Sequence, residues 1–95
     1  ALLAAPDVST PAGQRDRAML ELLYGGGLRI SELVSLDTGQ IELENGAAIV
    51  HGKGAKERVV LFGSPAIAAL ILYLRDGRTS LAKGTEAALF LNRSL

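Results

Sequence analysis

The sequence predicts an α+β fold in which helices pack against a small three-stranded antiparallel sheet. Thr10-Pro11 and Ser64-Pro65 each precede apolar residues at helical spacing. Between them, residues 41–62 change to an alternating pattern broken by Asn45-Gly46 and by a glycine-flanked lysine turn. A helical stretch, a set of hairpin strands and a second helical stretch therefore share 95 residues, which is the length of a single domain.

Thr10 suits an N-cap, and Pro11 at the first helical position gives up an amide hydrogen that has no partner there anyway. Ala18 with Leu22 and Met19 with Leu23 repeat at four-residue spacing between Arg15, Arg17 and Glu21. This predicts an amphipathic helix running to about Tyr24. Gly25-Gly26-Gly27 ends it, because glycines weaken a helix and permit positive φ. A short second helix is expected from Leu28 to about Leu36, with Leu28, Leu33 and Leu36 inward and Arg29 in its first turn. Asp37-Thr38-Gly39 then breaks the helical period. Ile41 and Leu43 alternate with Glu42 and Glu44 as an acidic, solvent-facing edge. Asn45-Gly46 is a strong hairpin signal, and Ala47 to His51 forms the return strand. After the turn Gly52 to Glu57, Arg58 to Phe62 forms a third strand. Ser64-Pro65 repeats the capping signature, and Ile67, Leu70, Ile71 and Leu74 predict a helix ending near Gly77. Leu89-Phe90-Leu91 is a candidate short strand.

Composition narrows the function classes. The chain is 48% hydrophobic and 21% charged, enough for a core but a marginal one at this length. It has no cysteine and one histidine, so neither a disulfide framework nor a thiolate or histidine-rich metal site is available. Its apolar runs are too short to span a bilayer, and Ala1 to Ala5 lack the basic flank of a signal peptide. The chain starts without Met, as a piece of a longer protein would. Ten Lys and Arg balance ten Asp and Glu, which by itself does not favour a polyanionic partner. The balance is uneven along the chain, however: acids gather on the Ile41 to Glu44 edge, while Arg29, Lys53, Lys56 and Arg58 gather on two glycine turns.

Those two turns are the places where chemistry is expected. A glycine turn entering a helix presents unpaired amides and the positive end of the helix dipole, which suit a phosphate or another anion. Arg29 adds a forked, permanently charged donor that matches two phosphate oxygens. The plainer alternative is a solvated arginine paired with Glu32 at i+3. Lys53 stands between Gly52 and Gly54, where a long side chain is free to reach into a groove. Lys56 and Arg58 bring residues 51–60 to three cations against Glu57. The plainer alternative there is a basic turn that keeps a strand edge soluble. Nucleotide-binding loops fail by position: a P-loop ending at Lys53 needs glycine and Ser/Thr where Ala47 and Gly54 stand, and dinucleotide patterns from Gly25 or Gly52 meet Ile30 or Glu57. His51 has no second ligand and reads as an ordinary hairpin histidine. Tyr24 and Tyr73 fall within helical apolar patterns, as packed aromatic residues do.

The run from Arg15 to Leu33, with Gly27-Leu28-Arg29-Ile30-Ser31-Glu32-Leu33 at its end, resembles the first arginine box of the tyrosine recombinases, the Xer-type and phage-integrase-like enzymes. Gly52-Lys53-Gly54-Ala55-Lys56-Glu57-Arg58 is similar to their β-hairpin lysine motif. The resemblance covers about residues 6–91 and implies that residues 1–95 are part of a catalytic domain. Its first arginine box would be 15–36, its β-hairpin lysine region 40–62 and its following helix 64–77. It implies that Arg29 is the first of two catalytic arginines, gripping the non-bridging oxygens of the scissile phosphate. Lys53 would be the general acid that protonates the departing 5′ oxygen. Glu32 would orient that neighbourhood, and Lys56 and Arg58 would hold backbone phosphates.

The implied reaction cleaves and rejoins DNA strands through a 3′-phosphotyrosine. The implied partners are double-stranded DNA and further recombinase protomers in a synaptic complex; the implied location is cytoplasmic, with no metal or other cofactor. The family draws a His-x-x-Arg box, a further His or Trp and the nucleophilic tyrosine from later helices. Neither Tyr24 nor Tyr73 matches the nucleophile's context, so no nucleophile is expected in this chain and the chain alone is expected to be inactive. A non-catalytic DNA-binding or regulatory relative, and a small protein-interaction or anion-binding domain, remain the competing readings.

Overall fold

The computed structural model describes residues 5–51 and 56–91. Helix α1 is Pro11–Gly26. It opens as the sequence predicts: the Thr10 hydroxyl accepts from the Gly13 amide at 3.0 Å and donates to the Asp7 carbonyl. Its end lies two residues beyond expectation. Gly25 and Gly26 stay helical, and Gly27 alone makes the turn at φ 69°, its amide donating to the Leu23 carbonyl. Helix α2, Ile30–Val34, is correspondingly shorter than expected. Arg29 is extended at ψ 154° and stands before the helix, not in its first turn. Leu28, Leu33 and Leu36 are all buried, as predicted.

After a tight turn at Thr38–Gln40 the sheet follows: β1 Ile41–Glu42, β2 Ala47–His51 and β3 Glu57–Leu61, antiparallel in that order. Ile41 pairs with Ala48 and Glu42 with Ala47, so four residues close the hairpin and not the two of Asn45-Gly46. The Asn45 side chain donates to the Glu42 carboxylate at 2.6 Å, the Gly46 amide donates to the Leu43 carbonyl, and the Gly46 carbonyl accepts from the Phe62 amide at 2.8 Å. Gly46 has φ 62°, and a Cβ there would lie 2.6 Å from the Phe62 carbonyl oxygen. The Asn-Gly step is thus used to seat the hairpin end against Phe62; β3 begins one residue earlier than expected, at Glu57, which pairs with His51. Ala48, Val50 and Val60 face the core, while Ile49, Val59 and Leu61 face outward. Residues 52–55, which include Lys53, lie outside the described residues.

Helix α3 is Ser64–Leu72, with Gly63 at the cap position and Ser64 already helical. The Gly63 carbonyl takes the amides of both Ala66 and Ile67 at 3.1 Å, which is why the helix begins one residue early. The helical run does not stop at Gly77. A wider π-type turn spans Tyr73–Gly77 and leads directly into α4, Arg78–Leu81. Gly77 serves close packing here and does not break the helix: a Cβ on it would lie 2.8 Å from Gln14 Oε1 and 3.0 Å from the Pro11 carbonyl oxygen of α1.

Ala18, Leu22, Leu28, Leu33, Val50, Val60, Ala66, Leu70 and Tyr73 share one core with the C-terminal leucines Leu89 and Leu91. The expected strand at 89–91 is reduced to a single bridge between Ala88 and Asp37. Side chains hold this segment instead. The Tyr73 hydroxyl donates to the Leu89 carbonyl at 2.8 Å and accepts from the Leu91 amide at 2.9 Å. Arg78 donates to the carbonyls of Glu86 and Ala88 at 2.7 Å, and Arg15 to that of Leu91 at 3.0 Å. Burial pushes the Tyr73 phenol above its ordinary pKa, partly offset by the Leu91 amide, so it stays protonated and able to donate. Tyr73→Phe leaves a buried carbonyl and a buried amide without their partner. It is expected to destabilise the protein by about 1–3 kcal/mol, read as a lower midpoint in urea with an unchanged slope.

Candidate functional site

The site is organised around one carboxylate. Glu32 is the third residue of α2, and its side chain is 8% exposed. A carboxylate so far from water needs hydrogen-bond donors to remain charged. Two elements supply them. The Arg29 amide donates to Oε1 at 2.9 Å, closing the start of α2 from behind. The Arg58 guanidinium donates Nη1 to Oε2 at 2.5 Å and Nη2 to Oε1 at 3.0 Å, a two-pronged pair. Arg58 reaches Glu32 because of register: it pairs with the buried Val50 and lies on the same face of β3 as Val60, just past the margin of the apolar core. The Arg58 hydrogen bond, followed by that of the Arg29 amide, holds the Glu32 carboxyl below the usual glutamate range. The Glu32 carboxylate in turn raises Arg58 further.

This arrangement joins the start of α2 to the strand that follows the second turn singled out by the sequence. The strand pair carrying the Lys53 turn leaves the sheet at His51 and returns at Glu57, which face each other in register. The next residue on the returning strand is Arg58, clamped to the helix that begins just after Arg29. The expected side-chain pairing of Arg29 with Glu32 does not form. Glu32 is occupied by the Arg29 backbone and by Arg58, and the Arg29 side chain is exposed, with no hydrogen-bond or ion-pair partner among the described residues. Lys56 is also exposed. Cations left uncompensated beside a glycine turn can receive an anion from solution.

The Arg58 tie was not anticipated, although alternation offered a signal: Arg58, Val60 and Phe62 fall on one face of a strand whose other two members are core residues. His51 Nδ1 lies 3.7 Å from Glu57 Oε2, and both side chains are exposed. Tyr24, expected to pack, is 76% exposed. The buried row of α1 is Gln14, Ala18 and Leu22, and a residue two beyond Leu22 points about 200° away from it. Tyr73 is fully buried. Among the described residues no group of three or more His, Cys, Asp or Glu could hold a metal ion, and no helix is long and apolar enough to cross a membrane.

The phage integrase family matches residues 1–94, and the chain belongs to that family. It is 53% identical over 96 residues to tyrosine recombinase XerC of Bacillus pumilus, covering 97% of this chain and 32% of the relative. It is also 53% identical over 93 residues to tyrosine recombinase XerD of Ralstonia nicotianae, covering 96% and 30%. The chain thus spans about a third of the length of these curated relatives. Among solved structures, XerA recombinase superposes with a TM-score of 0.74 at 31% identity over 83% of this chain and 28% of that one. XerH site-specific recombinase bound to difH substrate in a pre-cleavage complex superposes with a TM-score of 0.72 at 27% identity, over 87% and 24%.

Two outcomes follow from the Glu32 geometry. Arg29→Ala leaves thermal unfolding unchanged, because its side chain is exposed and unpaired, whereas Glu32→Ala lowers the midpoint by stranding Arg58 and the Arg29 amide. The Glu32 carboxyl titrates lower in the folded chain than in the unfolded chain. Its stabilisation is therefore complete above the ordinary glutamate pKa and is lost as pH falls through the lower folded value. Acid unfolding monitored by circular dichroism is expected to be shallower in Glu32→Gln than in the parent. It is not abolished, since Asp7 and Glu86 are held low by Ser9 and by the Lys83 amide respectively.

Proposed function

We propose that these residues form the first part of the catalytic domain of a site-specific tyrosine recombinase that acts on double-stranded DNA in the cytoplasm, with partner protomers in a synaptic complex. The observation that carries this reading is the Arg58–Glu32–Arg29 tie, which joins β3 to the start of α2 while leaving the Arg29 guanidinium exposed. Family membership and the similarity to XerC, XerD and XerH support it.

In this reading Arg29 donates to the non-bridging oxygens of the scissile phosphate and stabilises the extra charge of the pentacovalent transition state. Lys53 gives its proton to the 5′ oxygen as the phosphorus–oxygen bond breaks and a tyrosine oxygen bonds to phosphorus. The tyrosine comes from outside these 95 residues: Tyr73 is buried against Leu89 and Leu91, and the exposed Tyr24, which precedes the glycine turn, does not match the nucleophile's context. Lys56, exposed at the foot of the hairpin, meets a backbone phosphate. Arg58, which the family resemblance assigns to the same task, has both terminal nitrogens on Glu32 and is better placed to hold the site than the DNA.

The test uses the complete recombinase and a suicide DNA substrate that traps the covalent intermediate. Arg29→Ala and Lys53→Ala are each expected to slow covalent-complex formation by at least about 10²-fold, with thermal stability retained. Near-normal trapping in both variants rules out the assignment. DNA binding without any covalent complex in the unsubstituted protein points to a non-catalytic DNA-binding relative.

A further inference from the structure

One carboxylate oxygen links the two arginines of the junction. Glu32 Oε1 accepts from the Arg29 amide at 2.9 Å and from Arg58 Nη2 at 3.0 Å, while Oε2 accepts from Arg58 Nη1. The backbone that carries the Arg29 side chain has few other anchors. It leaves the left-handed Gly27 at φ 69°, passes the buried Leu28 and enters a helix of five residues whose first member, Ile30, is exposed. Arg29 itself is extended, and its amide is held from behind by the Glu32 carboxylate. That carboxylate keeps its place because Arg58 meets both of its oxygens. With Arg58 gone, a buried charge would keep a single donor among the described residues, and such a charge turns to water or takes up a proton. Turning to water takes the acceptor away from the Arg29 amide. The guanidinium matters for its shape as well as its charge, because an ammonium offers no planar fork to two carboxylate oxygens. We infer that Arg58 is a positioning residue for Arg29: acting through Glu32, it fixes the backbone from which the Arg29 guanidinium reaches the scissile phosphate, and its loss weakens charge stabilisation at that phosphate and not DNA binding.

This inference rests on the proposed role of Arg29, and the experiment separates the two. The complete recombinase is assayed in single turnover on a suicide substrate with the ordinary scissile phosphate, and on the same substrate with a methyl group replacing one non-bridging oxygen. Each variant is compared with the parent on the same substrate. In both substrates the tyrosine oxygen bonds to phosphorus, the bond to the 5′ oxygen breaks and that oxygen takes a proton. The methylphosphonate is neutral and its transition state carries one negative charge fewer, so it has less need of a guanidinium. A general loss of folded enzyme slows both substrates equally, whereas a loss of charge stabilisation falls on the phosphate.

Arg29→Ala is expected to be slow on the phosphate and close to the parent on the methylphosphonate. Arg58→Met is expected to follow it, with a loss of at least about tenfold on the phosphate that is largely regained on the methylphosphonate. Its DNA affinity and the salt dependence of binding stay those of the parent, whereas removing a residue in contact with a phosphate lowers the salt slope by about one. Glu32→Gln combined with Arg58→Met is expected to be no slower than Arg58→Met alone, because both changes break one interaction and the neutral amide leaves no unpaired charge behind. Arg58→Lys keeps the charge but not the fork and falls between the parent and Arg58→Met on the phosphate; it also provides the reading if Arg58→Met fails to fold.

The inference is overturned if Arg29→Ala is restored on the methylphosphonate while Arg58→Met and Arg58→Lys are not, if their DNA binding weakens with a reduced salt slope, or if their cleavage of the phosphate substrate is unchanged. If Arg29→Ala itself is not restored, the reading of Arg29 as the charge partner of the phosphate fails and the inference falls with it.

Discussion

The buried carboxylate of Glu32 is the constraint on which the candidate site depends. A charge with 8% of its side chain exposed is tolerable only while its donors stay in place. Those donors come from two separate parts of the chain: the backbone at the start of α2, and a strand 26 residues further on. The demand for satisfaction therefore becomes a positional rule. The turn after α1 and the strand after the lysine turn cannot move apart without leaving the carboxylate unpaired. The same pair explains which arginine is consumed and which is exposed, because the Arg58 side chain bonds the carboxylate and Arg29 bonds it through its amide.

The rest of the fold supplies a platform for that junction. α1 packs closely on the π-type turn at Gly77, and its Ala18 and Leu22 belong to the shared core. A second polar junction ties down the other end: Tyr73, Arg78 and Arg15 take up the backbone groups of residues 86–91, which have only one strand-like bridge of their own. In both places a polar side chain at the margin of the apolar core fixes a segment whose own backbone pairing is incomplete. A core of mostly aliphatic residues, with two phenylalanines and two tyrosines in the whole chain, is thereby given defined edges.

Neutral net charge is a poor guide to whether a site can receive an anion, and the geometry gives the reason. Glu32 is counted against Arg58 in the total, yet the two are joined to each other, and Glu42 and Glu44 are exposed on the edge hairpin away from the junction. The Arg29 and Lys56 side chains, both exposed, form no ion pair among the described residues, while the sum over the chain remains zero. Charge summed over a sequence cannot distinguish a cation already paired inside the fold from one available outside it.

Much of the architecture was legible in the residues themselves, because its signals are local. Thr10-Pro11 places a helix start through one hydroxyl and one ring, and the shift from helical to alternating apolar spacing places the sheet. Leu28, Leu33 and Leu36 mark the inward side of α2, and the motifs around Arg29 and Lys53 identify the family. What the sequence could not decide were matters set by contact across the chain. Gly25-Gly26 and Gly77 look like helix breakers, yet all three lie within helical runs, Gly26 close to Val60 and Gly77 close to Gln14 and Pro11. Asn45-Gly46 looks like a two-residue turn, yet Phe62 draws Gly46 into a longer one. Tyr73 looks like a packed ring, and only the path of residues 89–91 makes it a hydrogen-bond clamp. Above all, local spacing pairs Glu32 with Arg29 three residues before it, whereas the tertiary structure gives it to Arg58. An i+3 contact costs the chain little to form, but a two-pronged guanidinium delivered by a neighbouring strand satisfies both oxygens of a buried carboxylate, and that preference exists only once the strand and helix have been brought together.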